Sequence, residues 1–167
     1  MKNLKYLNHY ALETQKQVHS LIETKSLSKF ILNKYPKTHE YRTDNALFSY
    51  VNEYKNEYMK KAGPLSKVIY DGKINVIHNA LGTHRFISRV QGSKLKAKNE
   101  IRVASMFKNT PEEFLRMIVV HELAHFKEKE HNKAFYKLCE HMEPSYHQLE
   151  FDLRLYLTHI DLFGKLY

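Results

Sequence analysis

The stretch His121-Glu122-Leu123-Ala124-His125 carries residue types at a spacing that can do chemistry. On a helix, residues four apart lie one above the other on the same face. Two imidazoles so placed can each turn a ring nitrogen to one Zn²⁺ at about 2.0–2.1 Å. Glu122 adjoins the first histidine and points beside the metal rather than at it. There it can take a proton from a metal-activated water and pass it to a leaving group. The metal lowers the pKa of that water and polarises the substrate oxygen. The expected chemistry is hydrolysis, with His121 and His125 as ligands and Glu122 as general base.

A catalytic zinc site has three protein ligands and an open fourth position. His131 follows His125 by six residues, across the charged turn Phe126-Lys127-Glu128-Lys129-Glu130. If the helix stops there, the chain can bring His131 back to the metal. The alternative third ligand is a glutamate from the next helix: Glu140, Glu143 or Glu150. One zinc per chain is expected, although nitrogen-rich sites also accept nickel or manganese. The other eight of the 11 histidines, including His78, His84, His141 and His147, read as surface or core residues. Tyr136 and Tyr146 could stabilise an oxyanion. With 12 tyrosines in the chain, packing is the expected role for both.

The motif needs a helix, and the flanking residues supply one. Thr110-Pro111-Glu112-Glu113 reads as a capping box with proline in the first turn. Helical periodicity then runs through Phe114, Met117, Ile118, Val120, Leu123 and Ala124. Asn132 caps a helix to Met142, and Pro144 opens a last, amphipathic one through Leu149, Leu153, Leu155 and Leu157. Upstream, Asp71-Gly72 between Lys67–Tyr70 and Lys73–Ile77 signals a hairpin. Further strands are expected at Arg85–Val90 and Ile101–Phe107. The first sixty residues read as a helical cover: Tyr10–Thr24, Ser26–Lys34, and a helix capped by Thr43 with Leu47, Phe48, Val51, Tyr54 and Tyr58 on one side. Helices, a small mostly antiparallel sheet, then helices make an α+β fold in one domain over 1–167. Its parts are 1–63 (cover), 66–107 (sheet) and 110–160 (active-site and C-terminal helices).

Composition narrows the class. At 167 residues and 43% hydrophobic, the chain can bury a core and is not disordered. The single Cys139 excludes a disulfide framework and a four-cysteine zinc ribbon. No apolar run approaches the roughly eighteen residues of a membrane span. The start Met1-Lys2-Asn3-Leu4-Lys5-Tyr6 lacks a following signal-peptide core, so a cytoplasmic location is expected. The net charge of +9 favours anionic partners or serves solubility. The lysines are scattered, with one modest cluster at Lys94, Lys96 and Lys98, which is poor material for a nucleic-acid groove.

The block Phe114–Tyr136, from Phe114-Leu115-Arg116 through the two-histidine motif to His131-Asn132-Lys133-Ala134-Phe135-Tyr136, resembles the YgjP-like metallopeptidase family. Related patterns occur in the SprT-like and WLM families. The match extends upstream through Ser88-Arg89-Val90-Gln91-Gly92 and Glu100-Ile101-Arg102-Val103-Ala104, and downstream through His141-Met142-Glu143-Pro144. The resemblance implies a small zincin-like, minigluzincin-type fold with ligands at His121, His125 and His131 and a catalytic glutamate at Glu122. It also implies an edge strand at Ile101–Met106, where a peptide adds by main-chain pairing.

Two activities follow. The family's name implies a peptidase. Resemblance within the family also implies hydrolysis of nucleoside triphosphates, notably UTP, with release of pyrophosphate. Arg89 and Arg102, with Lys94, Lys96 and Lys98, would favour the nucleotide. Against it stand the lack of a Gly-rich phosphate loop and of a carboxylate cluster for Mg²⁺. The peptidase is the first expectation. A nucleic-acid-binding module of the SprT kind is the least favoured class, and no membrane partner is expected.

Overall fold

The computed structural model describes residues 4–74, 88–91 and 99–167. The helices are α1 (Leu12–Glu23), α2 (Leu27–Lys34), α3 (Asp44–Tyr58), α4 (Glu112–Ala124), α5 (Lys133–Met142) and α6 (Tyr146–Phe163). The strands are β1 (Leu65–Asp71), β2 (Ser88–Gln91) and β3 (Asn99–Ala104), and a 3-10 turn spans Ser105–Asn109. Among the described residues no helix is long and apolar enough to cross a membrane.

The helices begin and end for local reasons. Thr43 caps α3 by accepting from the Ala46 amide at 3.1 Å, and Asn132 caps α5 by accepting from Phe135 N at 2.9 Å. Each satisfies one of the orphan amides of a first turn. Gly164 ends α6 at φ 84, a conformation that costs glycine little.

Two helices form the centre. In α4 every residue from Phe114 to Ala124 except Arg116 is buried. In α6 the continuous run Asp152–His159 is buried. A helix covered on nearly all sides belongs to the core rather than the surface. The amphipathic last helix expected from its leucines is therefore more deeply enclosed. Its polar residues are buried with partners: Asp152 accepts from Lys34 Nζ at 2.6 Å, from Gln148 Nε2 at 3.0 Å and from the Tyr35 hydroxyl. Arg154 donates to the Tyr6 carbonyl at 3.1 Å. These contacts fasten the N-terminal segment and α2 to α6.

The sheet departs from expectation. β3 lies between β1 and β2. It pairs parallel with β1, Val68 opposite Ile101 and Tyr70 opposite Val103, and antiparallel with β2, Val90 opposite Ile101. The described sheet is mixed, not mostly antiparallel. Asp71-Gly72 does turn, with Lys73 N donating to Asp71 Oδ1 at 2.8 Å. Among the described residues the strand beside β1 is β3, whose Ile101 and Val103 are fully buried. A parallel pair needs a crossover of a dozen or more residues, which 72–98 can span. Most of the expected second hairpin strand, 75–77, lies outside the described residues, as do 85–87 of the next. The strand expected at Ile101–Phe107 ends at Ala104. Its expected role as an edge at Ile101–Met106 is corrected too, since both flanks of β3 are taken.

The capping box at Thr110 is also corrected. α4 starts at Glu112 with Pro111 in the cap position. Thr110 is fully buried, and its hydroxyl donates to the Phe107 carbonyl at 3.2 Å instead. Glu112 and Glu113 still complement the positive end of the helix dipole.

His39 holds the segment before α3 against that same turn. The Tyr41 amide donates to its Nδ1 at 3.0 Å, so Nε2–H donates to the Phe107 carbonyl at 2.6 Å. Burial lowers its pKa below the ordinary 6.5. Below that pH the unfolded chain binds more protons, so His39 contributes stability above about pH 6.5 that is lost as pH falls. Ring resonances of His39 followed by NMR are expected to titrate below 6.5. A midpoint at or above that value contradicts the neutral, doubly bonded ring.

Candidate active site

The buried helix α4 carries His121 and Glu122, and His125 is its C-terminal cap residue. Residues 126–131 then turn back before Asn132 starts α5. This brings His131 against the other two rings. The Nε2 atoms of His121 and His125 are 3.3 Å apart, those of His125 and His131 3.1 Å, and those of His131 and His121 3.2 Å. A tetrahedral ion with bonds of about 2.0–2.1 Å has ligand atoms about 3.3–3.4 Å apart. The triangle is close to one face of such a tetrahedron, and the three histidines can hold a divalent metal.

The outer ring nitrogens orient the set. His125 Nδ1 lies 2.9 Å from the Glu128 carbonyl, which can only accept. Nδ1 therefore carries the proton and Nε2 offers a lone pair. His121 Nδ1 lies 2.7 Å from the Tyr146 hydroxyl. Burial, with the nearby Glu150 charge, raises the pKa of Tyr146 well above the ordinary value and keeps the phenol neutral. Phe135, fully buried, touches all three rings, with centroids 4.9, 4.6 and 4.8 Å from those of His121, His125 and His131. Such a wall restrains ring rotation. Glu122 is only 2% exposed, next to His121 on the same helix.

Other candidate residues are placed elsewhere. Glu140 pairs with His147 at 2.9 Å, Glu143 with Arg116 at 2.6 Å, and Glu150 with Arg154 at 3.6 Å. None of the three joins the histidine cluster, which the structure builds with His131. Arg102 is held by Asp71 at 3.1 Å and Glu100 at 2.6 Å, so two carboxylates already neutralise it. Arg89 stands opposite it in the β2–β3 register. Lys94, Lys96, Lys98, His78 and His84 lie outside the described residues. Tyr136 rests on the rings of Phe135 and Tyr146. Tyr146, for which the sequence suggested packing or oxyanion stabilisation, is instead the partner of His121. Nothing in its local pattern marks it out, because its contact with His121 is made between helices.

The profile of the family described as "YgjP-like, metallopeptidase domain" matches residues 4–156. The chain belongs to this family. It is also 59% identical over 162 residues to the "UTP pyrophosphatase" of Escherichia coli (strain K12), covering 97% of each chain. No solved structure matches it. Family and relative together make this YgjP-like chain a metal-dependent hydrolase.

Replacing His131 by alanine opens the triangle. His131→Ala dialysed with zinc is expected to retain far less than stoichiometric metal, while the exposed His147→Ala keeps the wild-type content. Elemental analysis of the two preparations checks this, and full loading of His131→Ala contradicts a three-histidine site.

Proposed function

We propose that this chain is a single-domain, zinc-dependent hydrolase that cleaves UTP, or a similar nucleoside triphosphate, to the monophosphate and pyrophosphate. The observation that carries this reading is the convergence of three Nε2 atoms beside a buried glutamate. It occurs in a chain 59% identical along nearly its whole length to a protein named for that reaction.

His121, His125 and His131 would hold the ion, which when bound lowers the pKa of a water and draws charge from a phosphoryl oxygen. Glu122 accepts the water's proton as its oxygen attacks the α-phosphorus. The bond from the α-phosphorus to the bridging oxygen breaks, and its electron pair leaves with pyrophosphate. Glu122 then returns the proton to the departing oxygen or to solvent. Enclosure of Glu122 strengthens its electrostatic coupling to the reacting groups. The +9 charge steers a polyphosphate toward the protein. Arg102, already paired with Asp71 and Glu100, is a weak candidate to contact the phosphates.

Peptide hydrolysis is the second reading. The family's description favours it, and β2 lies at an edge of the described sheet, where an extended peptide can add. The expected receiving strand, β3, has no free edge.

Wild type and Glu122→Gln are to be loaded with zinc and assayed on UTP and on casein, following pyrophosphate and peptide fragments. The expected result is UTP cleavage by wild type, reduced by about 10²–10⁴-fold in Glu122→Gln at unchanged metal content. Casein cleavage without UTP cleavage replaces the first reading with the second. Undiminished turnover by the variant removes Glu122 from the mechanism.

A further inference from the structure

A cleft of about 310 Å³, walled by Lys25, Leu27, Ser28, His159 and Phe163, lies away from the histidine cluster. That size is at the lower end for small-molecule pockets, which are mostly apolar with a few convergent polar groups. His159 and Phe163 stand one turn apart at the end of α6, their ring centroids 5.3 Å apart. Tyr146 starts the same helix, about 20 Å away along its axis.

The polar groups of this cleft share a positive character. Helix α1 closes with Lys25 N donating to the Ile22 carbonyl at 3.1 Å and Ser26 N to that of Leu21 at 2.8 Å. In such an ending the residue after the cap turns left-handed and is usually glycine. Lys25 adopts that turn at φ 55, at a cost that glycine avoids. Its exposed side chain forms no ion pair among the described residues. Helix α2 then begins at Leu27, and no side chain caps it. The amides of an uncapped first turn carry partial positive charge. His159 is only 6% exposed, and its Nδ1 is buried without a hydrogen-bond partner among the described residues. A buried polar atom is rarely left so, and an exception points to a bound group. Phe163 is 48% exposed and leaves apolar surface at the same place.

We propose that this cleft is a second binding site, for a small organic monocarboxylate with an apolar body the size of a phenyl ring or short acyl chain. The body lies against Leu27 and Phe163. The carboxylate faces Lys25 and the first-turn amides of α2. With the imidazole proton on Nδ1, His159 adds a further donor. One ammonium and about half a positive charge from the helix end match a single negative charge, not that of a polyphosphate. The site is therefore independent of the reading given for the metal centre.

The test titrates the zinc-loaded protein with octanoate, 1-octanol and acetate, following affinity by calorimetry and the assigned histidine ring signals by NMR. Octanoate offers head and body, octanol the body without the charge, and acetate the head alone. Octanoate is expected to saturate one site, shift the ring signals of His159, and bind more tightly than either of the others. Lys25→Gln keeps the stem and removes the charge. It is expected to weaken octanoate about two- to fivefold and leave octanol unchanged. Phe163→Ala is expected to weaken both octanoate and octanol about three- to tenfold. Both positions are exposed, so both variants keep the fold. Octanol binding as tightly as octanoate reduces the cleft to a general apolar patch and overturns the proposal. Octanoate affinity unchanged in both variants, or His159 signals unmoved at saturation, overturns it as well. Shifts confined to His121, His125 and His131 put the carboxylate on the metal and overturn it too.

Discussion

Three imidazole nitrogens with lone pairs facing one another at 3.1–3.3 Å repel, and the arrangement is favourable only with a cation or proton among them. The surrounding structure is best understood as the frame that holds these nitrogens together. It begins with a core helix, α4, buried along almost its whole length. It continues with an abrupt turn after His125 and an asparagine cap that restarts the chain as α5 directly after His131. Phe135, on the first turn of α5, walls all three rings. The outer nitrogens of His125 and His121 are tied to Glu128 and Tyr146. Each restraint reduces the freedom lost when an ion binds.

Rigidity at α4 in turn requires something for it to pack against. α6 serves from one side, and the Asp152 and Arg154 contacts fasten α2 and the N-terminal segment to α6 rather than to the site. The first third of the chain thereby braces α6, on which α4 packs. The sheet adds buried Ile101 and Val103 beneath α4, while Arg102 points its charge at Asp71 and Glu100.

With a metal held by the three histidines and Glu122 as base, such a centre would act on a carbonyl or a phosphoryl group alike, because both reactions develop negative charge on oxygen. Substrate choice therefore depends on what surrounds it. The central position of β3 removes the surface on which a peptide was expected to pair. The positive balance of the chain suits a polyphosphate.

What the sequence determined by itself is local. Spacing of four places His121 and His125 on one helical face wherever that helix lies. Six residues with a break and the Asn132 cap allow His131 to return to them, and Thr43 starts α3 by accepting from the Ala46 amide. These depend on interactions within a turn or two, which residue type largely dictates. Tertiary structure decided the rest. It placed β3 between β1 and β2, and it drew the Thr110 hydroxyl to Phe107 instead of the helix amides. It set Glu140, Glu143 and Glu150 beside basic partners and outside the three-histidine cluster, and it brought Tyr146 to His121. Each of these is a contest between a local preference and a partner distant in sequence. Burial settles such contests, because a polar group or apolar side chain shielded from water must take the partner that the packed core presents.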